Sequence, residues 1–413
     1  MSKWSTTIIS DICTRIAMGP FGSNIKVDNF VPAGVPVLNG ANLAGFKLKE
    51  DSFNYVTEHK AEELKNSLAY RGDIVVTHRG TLGQIVYIPY NSKFEKYLIS
   101  QSQFLLRVDS EKADGRFVTY FFHSPYGQYL LLSNASQVGV PALARPTSTF
   151  KSLEIPLPPL IIQKKIADLL CLLDEKVQFN AKINQNLEQQ AQTIFKSWFV
   201  DFEPFQDGKF VDSELGPIPE EWRVVPLDEI ADFLNGLPMQ KYRPATDRSG
   251  LPVLKIKELR EKSCSSDSER CSEDIKQEYV VEDGDVIFSW SGSLLIDIWT
   301  GGRCGLNQHL FKVTSTQYEK WFYYLWICHH LENFIAIAAD KATTMGHIQR
   351  GHIHAALTLV PSKQEYEKLS AILSPIIDKM IHSRLESRRL ATLRDTLLPK
   401  LMSGEIDVSE VEI

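Results

Sequence analysis

The sequence predicts an α+β fold in which two homologous mixed α/β modules are joined by two long antiparallel helices, which form a coiled coil in a pseudo-twofold arrangement. Three observations predict it. Signals in the first half of the chain return in the same order in the second. Each copy begins with short β-branched or aromatic runs separated by Gly, Pro, Asn and Asp, the pattern of strands and turns. Each copy ends in a long stretch whose apolar residues follow a helical period. The expected boundaries are residues 1–152 for the first module, 153–205 for a central helical region, 206–356 for the second module and 357–413 for a C-terminal helical region.

The duplication is read from particular residues. Trp4 with Ile12 returns as Trp222 with Ile230, and "GVPVL" at 34–38 as "GLPVL" at 250–254. "GDIVV" at 72–76 returns as "GDVIF" at 284–288, each followed by a polar turn, Thr77-His78-Arg79-Gly80 in one copy and Ser289-Trp290-Ser291-Gly292 in the other. "QFLLRV" at 103–108 returns as "QHLFKV" at 308–313, and an aromatic-rich helix follows at 117–132 and at 321–339. Each copy then passes through an extended, proline-bearing stretch, "LEIPLPP" at 153–159 and "LTLVP" at 357–361, into a long helix. Trp4 falls on Trp222 at an offset of 218, whereas Lys196 falls on Lys400 at an offset of 204. Copies that drift in the globular part but hold register in the helices predict variable modules on a fixed frame.

In the first module strands are expected at 35–38, 73–77, 84–88 and 104–108, forming a curved mixed sheet; in the second they are expected at 253–256, 285–289, 294–299 and 310–313. The central helix is read from alternate steps of four and three: Ile166, Leu170, Leu173, Val177, Asn180, Asn184, Leu187, Ala191, Ile194 and Trp198. A period of 3.5 kept over more than four heptads is a coiled-coil seam. Asn180 and Asn184 within it either fix register or mark a wetter stretch. The C-terminal helix is less regular, with Leu369, Leu373, Ile376, Met380, Leu390, Leu397 and Leu401 apolar but Ser383, Ser387 and Arg394 at intervening steps, and Ser374-Pro375 is expected as its cap and first position. Neither stripe can be buried alone, so each helix is expected to pack on the other, antiparallel.

Composition bounds the function. The 43% hydrophobic and 23% charged content is that of a globular protein. Residues 1–10 carry no apolar run that could serve as a secretory signal, and His329, His330, Glu332 and Asn333 interrupt the most apolar window. A cytoplasmic protein with six reduced cysteines is expected. The net charge of −6 divides unevenly: residues 1–150 hold 15 Lys and Arg against 12 Asp and Glu, whereas 206–355 hold 16 against 23. Contacts to nucleic acid would therefore come from local basic loops on a near-neutral scaffold.

No motif for chemistry is found. There is no G-x-x-x-x-G-K-[ST] loop and no G-x-G-x-x-G turn. "LPPL" at 157–160 lacks the polar and aromatic flanks of the turn with which amino-methyltransferases hold a flipped base. His347, His352 and His354 have no carboxylate or cysteine nearby to complete a metal set, and His352 and His354 alternate as strand or loop positions would. Glu63-Leu64-Lys65 has the E-x-K form of some nucleases but sits on an amphipathic stretch and reads as a solvated helix face.

Five stretches resemble the specificity subunit of type I restriction-modification systems, in that family's order and over the whole chain. They are "GPFGSNIK" at 19–26, "IPLPPLIIQKKIADLL" at 155–170, "LEQQAQTIFKSWFVDFEPF" at 187–205, "SELGPIPEEWRVVPLDEIA" at 213–231 and "LLPKLMSGEIDV" at 397–408. The chain departs from the family pattern at "LVPSKQEYEKLSAIL", where a fuller "IPLPPLEEQ" is usual, and at "GLPMQKYRP" at 236–244, which replaces an FGS turn. The resemblance implies that the modules are two target recognition domains reading different half-sites of double-stranded DNA. It implies no catalysis and no cofactor in this chain. Partners are implied: two methyltransferase subunits bringing S-adenosylmethionine, and restriction/translocase subunits bringing ATP and Mg. A seam of 33 residues, 166–198, is about 50 Å long at roughly 1.5 Å per residue, enough to set two modules about one turn of DNA apart.

The residues expected to meet DNA are polar or basic loop positions, the types that pair with base edges and phosphates. In the first module these are Ser23, Asn24 and Lys26, then His78 and Arg79, then Arg145, Thr147 and Ser148 in the polar turn before the helix. In the second they are Gln240, Lys241, Tyr242 and Arg243, then Trp290 and Ser291, then His347 and Arg350. Two other readings stay open on the residues alone. A self-sufficient modification enzyme would need a cofactor loop, and an interaction scaffold without DNA is favoured by the net −7 of residues 206–355.

Overall fold

The computed structural model describes residues 4–136, 139–244, 249–340 and 346–411. The chain divides into two compact units, Met1–Glu175 with Leu390–Ile413, and Lys176–Arg389. It passes from one to the other inside two long helices, Leu160–Phe199 and Lys363–Ser403. Among the described residues no helix is long and apolar enough to cross a membrane.

Each unit has two larger sheets, besides two-stranded pairs, where one curved sheet was expected. In unit 1 an antiparallel sheet runs Cys13–Met18, Gln103–Val108, Ile74–Thr77, Ile85–Tyr87. A mixed sheet runs Phe30–Val31, Asn54–Val56, Val35–Val37, Lys96–Leu98, Leu68–Tyr70, with Val37 and Leu98 paired in parallel. Unit 2 repeats the plan. Its antiparallel sheet runs Asp232–Asn235, Leu310–Thr314, Val286–Ser289, Ile296–Ile298; its mixed sheet runs Arg270–Cys271, Leu251–Leu254, Cys304–Leu306, Val280–Val281. The reason for two sheets lies in the strands themselves. Ile74, Val76, Phe104 and Leu106 face the helices, while Val75, Val86 and Leu105 face a second core with Leu38, Tyr97 and Ile99. A strand buried on both faces reads as a continuous apolar run, as "IVV" and "FLL" do.

The extended stretches before the long helices are strands that close each module. Glu154–Pro156 pairs with Thr6–Ile8, and Leu357–Val360 with Arg223–Pro226. The aromatic helix is split in unit 1 into Gly115–His123 and Pro125–Leu132, because Pro125 lacks the N–H that would continue the first; Ser124 caps the second through Gly127. In unit 2 it is one helix, Lys320–Asp340. His352 and His354 lie on a short helix, Arg350–Ala355, not on strand or loop positions, because His352 Nδ1 accepts the Gln349 N–H at 3.0 Å and starts a turn.

The seam of the first long helix holds at some steps and shifts by one residue at others. Ile166, Leu170, Asn180 and Ala191 are buried, but Asp174 replaces Leu173, and Phe195 and Phe199 replace Ile194 and Trp198 as its most buried members. A straight α-helix drifts about 20° per heptad against a 3.5 repeat, which moves the buried line to Phe195 and Phe199 at the far end. Within unit 1, Ile166 and Leu170 share a core with Leu398 and Leu401; within unit 2, Ala191, Phe195 and Phe199 share one with Leu369, Leu373 and Ile377. The helical segments therefore run antiparallel inside each unit. The second helix starts at Lys363, behind Ser362, whose hydroxyl contacts the Glu365 N–H and carboxylate. Ser374-Pro375 is not its start: the helix runs through the proline, and the Ser374 hydroxyl bonds Glu319 instead of capping. It ends at Ser403 with Gly404 at φ 76°, the left-handed conformation that glycine adopts without strain.

Candidate nucleic-acid interface

The polar turn after the central strand is held by the same hydrogen bonds in both units. In unit 1 the His78 N–H donates to Ser102 O at 2.8 Å, Leu143 N–H to His78 O at 2.8 Å, and Gly80 N–H to Pro141 O at 2.9 Å. In unit 2 the Trp290 N–H donates to His309 O at 3.4 Å, Ile348 N–H to Trp290 O at 3.0 Å, and Gly292 N–H to Gly346 O at 2.9 Å. Isolated bridges, Arg79 with Ala142 and Ser291 with His347, complete the match. The pairing makes Arg145 and Arg350 equivalent, since they follow Leu143 and Ile348 by two residues each.

This geometry corrects the alignment read from "QFLLRV" and "QHLFKV". Gln103 opposes Thr77, and Leu310 opposes Ser289, so Gln103 is equivalent to Leu310 and the true partner of Gln308 is Gln101. The consequence is chemical. His78 Nε2 contacts the Gln101 carbonyl at 3.1 Å, and Trp290 Nε1 donates to the Gln308 carbonyl at 3.2 Å. A ring N–H of the turn clamps the same carbonyl in both units. Since a carbonyl only accepts, His78 carries its proton on Nε2, and burial holds its pKa below the ordinary histidine range, so the ring is neutral near pH 7.

Unit 1 brings three of the expected stretches together. Arg79 is exposed beside His78. Arg145 is exposed at φ 45°, a left-handed conformation that is uncommon for a residue with a Cβ. It stands at the start of a short helix, Pro146–Lys151, where a polar turn was expected; Thr147 is half-buried and Ser148 exposed, with its hydroxyl donating to Arg145 O at 3.3 Å. Ser23 and Asn24 lie exposed on a 3-10 turn, Gly22–Asn24, next to Gln101, and Lys26 begins the next turn.

Unit 2 gathers Trp290, Ser291, His347 and Arg350. Ser291 is only 3% exposed and its hydroxyl contacts His309 Nδ1 at 2.9 Å. The Trp290 indole N–H is shared between Asn235 Oδ1 at 3.0 Å and Gln308 O. His347 and Arg350 are exposed, with Arg350 donating to Phe233 O at 3.2 Å and standing over the Phe311 ring. Gln240, Lys241 and Tyr242 are exposed on and after the 3-10 turn Met239–Lys241, equivalent to Gly22–Asn24; Arg243 pairs with Glu269 at 3.4 Å. Sequence reading missed Gln101, Asn235, Gln308 and His309. For Gln101, Gln308 and His309 the repeat carried the signal, two residues out of register.

Among the described residues no three His, Cys, Asp or Glu side chains gather into a metal set. What both units offer is a platform of turns displaying different polar side chains on one backbone.

The comparisons with known proteins agree with a duplicated platform. The type I restriction modification DNA specificity domain matches residues 1–189 and again 219–390. The chain is 25% identical over 420 residues to the type I restriction enzyme MjaIX specificity subunit of Methanocaldococcus jannaschii, covering 99% of this chain and 94% of that protein. It is 22% identical over 318 residues to the HindI specificity subunit of Haemophilus influenzae, covering 62% and 69%. Its fold is similar to the crystal structure of a type I restriction-modification S subunit from M. genitalium, with a TM-score of 0.60 at 16% identity over 97% and 96% of the two chains. With the family matched once on each half and both halves built on one platform, the chain belongs to the type I restriction-modification DNA specificity subunits.

Proposed function

We propose that this chain reads DNA for a type I restriction-modification complex and performs no chemistry itself. Two recognition domains, residues 1–152 and 206–356, each read one half-site of a bipartite, asymmetric target in double-stranded DNA. The helical regions 153–205 and 357–413 separate the domains in the chain and dock two methyltransferase subunits and the restriction/translocase subunits. Those partners bring S-adenosylmethionine, ATP and Mg, and the complex works in the cytoplasm. The carrying observation is the repeated clamp: His78 on Gln101 O and Trp290 on Gln308 O hold one backbone platform while the displayed side chains differ. Equal platforms support equal docking on a duplex, and unequal side chains support unequal half-sites.

In this reading Arg79, Arg145, Ser23, Asn24, Lys26 and Ser148 meet DNA in the first half-site, with His78 and Thr147 supporting them. Gln240, Lys241, Tyr242, Arg243, His347 and Arg350 do so in the second, with Trp290 and Ser291 behind them. The test is to purify the chain with its partners and map methylated adenines across a genome. Two unlike half-sites separated by unread bases are expected. A continuous or palindromic site would overturn the reading, as would methyl transfer by the purified chain alone.

A further inference from the structure

The residues expected to read DNA are polar, yet the first module also displays apolar side chains at its tip. Phe21 is 82% exposed and Val27 80%. Both lie on one projection with Ser23, Asn24 and Lys26, all exposed. A solitary exposed apolar residue needs no explanation, but two of this exposure on one short segment do.

The projection is pinned. The Gly19 N–H donates to Gln103 O at 2.8 Å and the Asn24 N–H to Phe21 O at 2.8 Å. The Lys26 N–H donates to Asn29 Oδ1 at 2.9 Å. Gly19 and Gly22 permit this close approach: an added Cβ would fall 1.8 Å from Ser100 O and 2.1 Å from Gln101 Oε1 respectively. The Gln101 side chain thus lies under Gly22, and its carbonyl is the one His78 clamps. Phe21 is held outward from the same platform that carries Arg79.

The second module does not repeat this. Gly236 matches Gly19 through its bond to Leu310 O, which places Pro238 at the position of Phe21 and fully buried Met239 at that of Gly22. Met239 packs with Val253, Cys271 and Val280.

We propose that Phe21, flanked by Val27, packs against the C5-methyl group of a thymine in the half-site read by the first module. The inference rests on the DNA-reading proposal above. A thymine methyl is the apolar group that a base edge offers in the major groove, and its polar neighbours there suit Ser23 and Asn24. Lys26 supplies a phosphate contact. Because the second module has the half-buried Pro238 where the first displays Phe21, the thymine dependence belongs to one half-site.

The experiment uses the full chain with its methyltransferase partners, as wild type and as Phe21→Ala. Each thymine of the mapped target is replaced in turn by deoxyuridine, which lacks only the methyl group. For the wild type, uracil at one or two positions of a single half-site should weaken binding about 3- to 10-fold. Phe21→Ala should weaken binding to the thymine target by a similar factor and abolish the difference between thymine and uracil. An unchanged Tm is expected for a side chain so exposed, and Val27→Ala should reduce the uracil penalty in part. Insensitivity to uracil at every thymine would overturn the proposal. So would a Phe21→Ala complex that keeps the uracil penalty, or one that loses affinity equally on both targets, as a wedge between base steps would. A complex with no sequence-selective binding would instead bring down the DNA-reading proposal on which this one stands.

Discussion

At the head of the central strand of unit 1, Asp73 is 1% exposed and receives two bonds from Arg107, at 2.7 and 2.8 Å. At the same place in unit 2, Asp285 keeps 23% of its side chain in water and meets Lys312 at 2.7 Å. Both carboxylates also accept an N–H at 2.8 Å, from Tyr70 and from Glu282. The difference continues into the helices. Unit 1 ties its helical segments to each other and to the module: Arg394 reaches Asp174 at 2.5 Å, the Tyr120 hydroxyl donates to Asp174 at 2.7 Å, and Arg116 reaches Asp168 at 2.5 Å. Unit 2 also links its helical segments, Asn180 to Glu386 at 2.7 Å, and ties the C-terminal one to its module through Arg384 to Asp297 and Arg388 to Asp283, each at 2.7 Å. Two copies of one fold have kept the carboxylate that caps the strand and changed the cation, its burial and the route by which the module grips its helix. The constant part is backbone geometry, and side chains that maintain it are exchangeable.

That comparison is sharpened most by removing the shared carboxylate. Asp73→Ala should cost unit 1 about 3 kcal/mol, because a buried, two-bonded partner is lost and Arg107 is left beside an emptied site. Asp285→Ala should cost unit 2 about 1 kcal/mol, since the Asp285 carboxylate is already partly in water and Lys312 keeps Val280 O as a partner. Urea denaturation followed on each variant reads the two values; equal losses would show that burial of the carboxylate does not distinguish the units.

An intermediate effect is expected in acid, and in unit 2 above all. Burial, helped by the neighbouring His329, pushes His330 down to about 4, with Nε2 on Leu357 O at 2.9 Å. The unfolded histidine titrates near 6.5, so between about 6.5 and 4 the unfolded chain binds the extra proton and folding stability falls as pH is lowered through that window. His330→Phe, which keeps a ring against Trp326 and Phe334, should flatten the decline in a series of melts from pH 7 to pH 4. A slope unchanged in the variant would assign acid sensitivity elsewhere, and in unit 1 burial lowers His78 and His123 in the same direction.

The smallest effect concerns the polar step in the helix seam. Asn180 is buried and donates to Glu386 at 2.7 Å and to Ser383 O at 3.4 Å, a cross-helix bond that favours the register reading over a merely wet stretch. Asn184 donates to Asn180 O at 3.0 Å. Asn180→Leu should raise the thermal stability of unit 2 by about 1 kcal/mol at the cost of that register signal. A loss of stability would mean that the amide contributes more than apolar burial at the same position.

Much of the fold was legible in the residues. "GDIVV" and "GDVIF" announced strands with a capped, glycine-bearing start, and Pro125 a broken helix, though the break went unread. Ser374-Pro375 misled, because a proline resembles a first helical position wherever a serine precedes it; the cap that the chain uses lies twelve residues earlier, Ser362 with Glu365 three residues on. The candidate interface was legible as turns and not as a surface. His78, Arg79, Trp290 and Ser291 announced themselves by following the strongest repeated strand. Gln101, Gln308 and His309 did not, because matching letters between "QFLLRV" and "QHLFKV" favoured an alignment two residues from the one the strands adopt.

The sequence by itself determined the duplication, the alternation of strand and turn in each copy, and the two long helical stripes, because these follow from periods and residue types that act over a few neighbours. The tertiary structure alone decided that each module has two larger sheets, that Asp174 and not Leu173 enters the helix seam, and that the turns at His78 and Trp290 close on Gln101 and Gln308. Those outcomes rest on hydrogen bonds and packing between residues far apart in the chain, and such pairings leave no period behind for a linear reading to find.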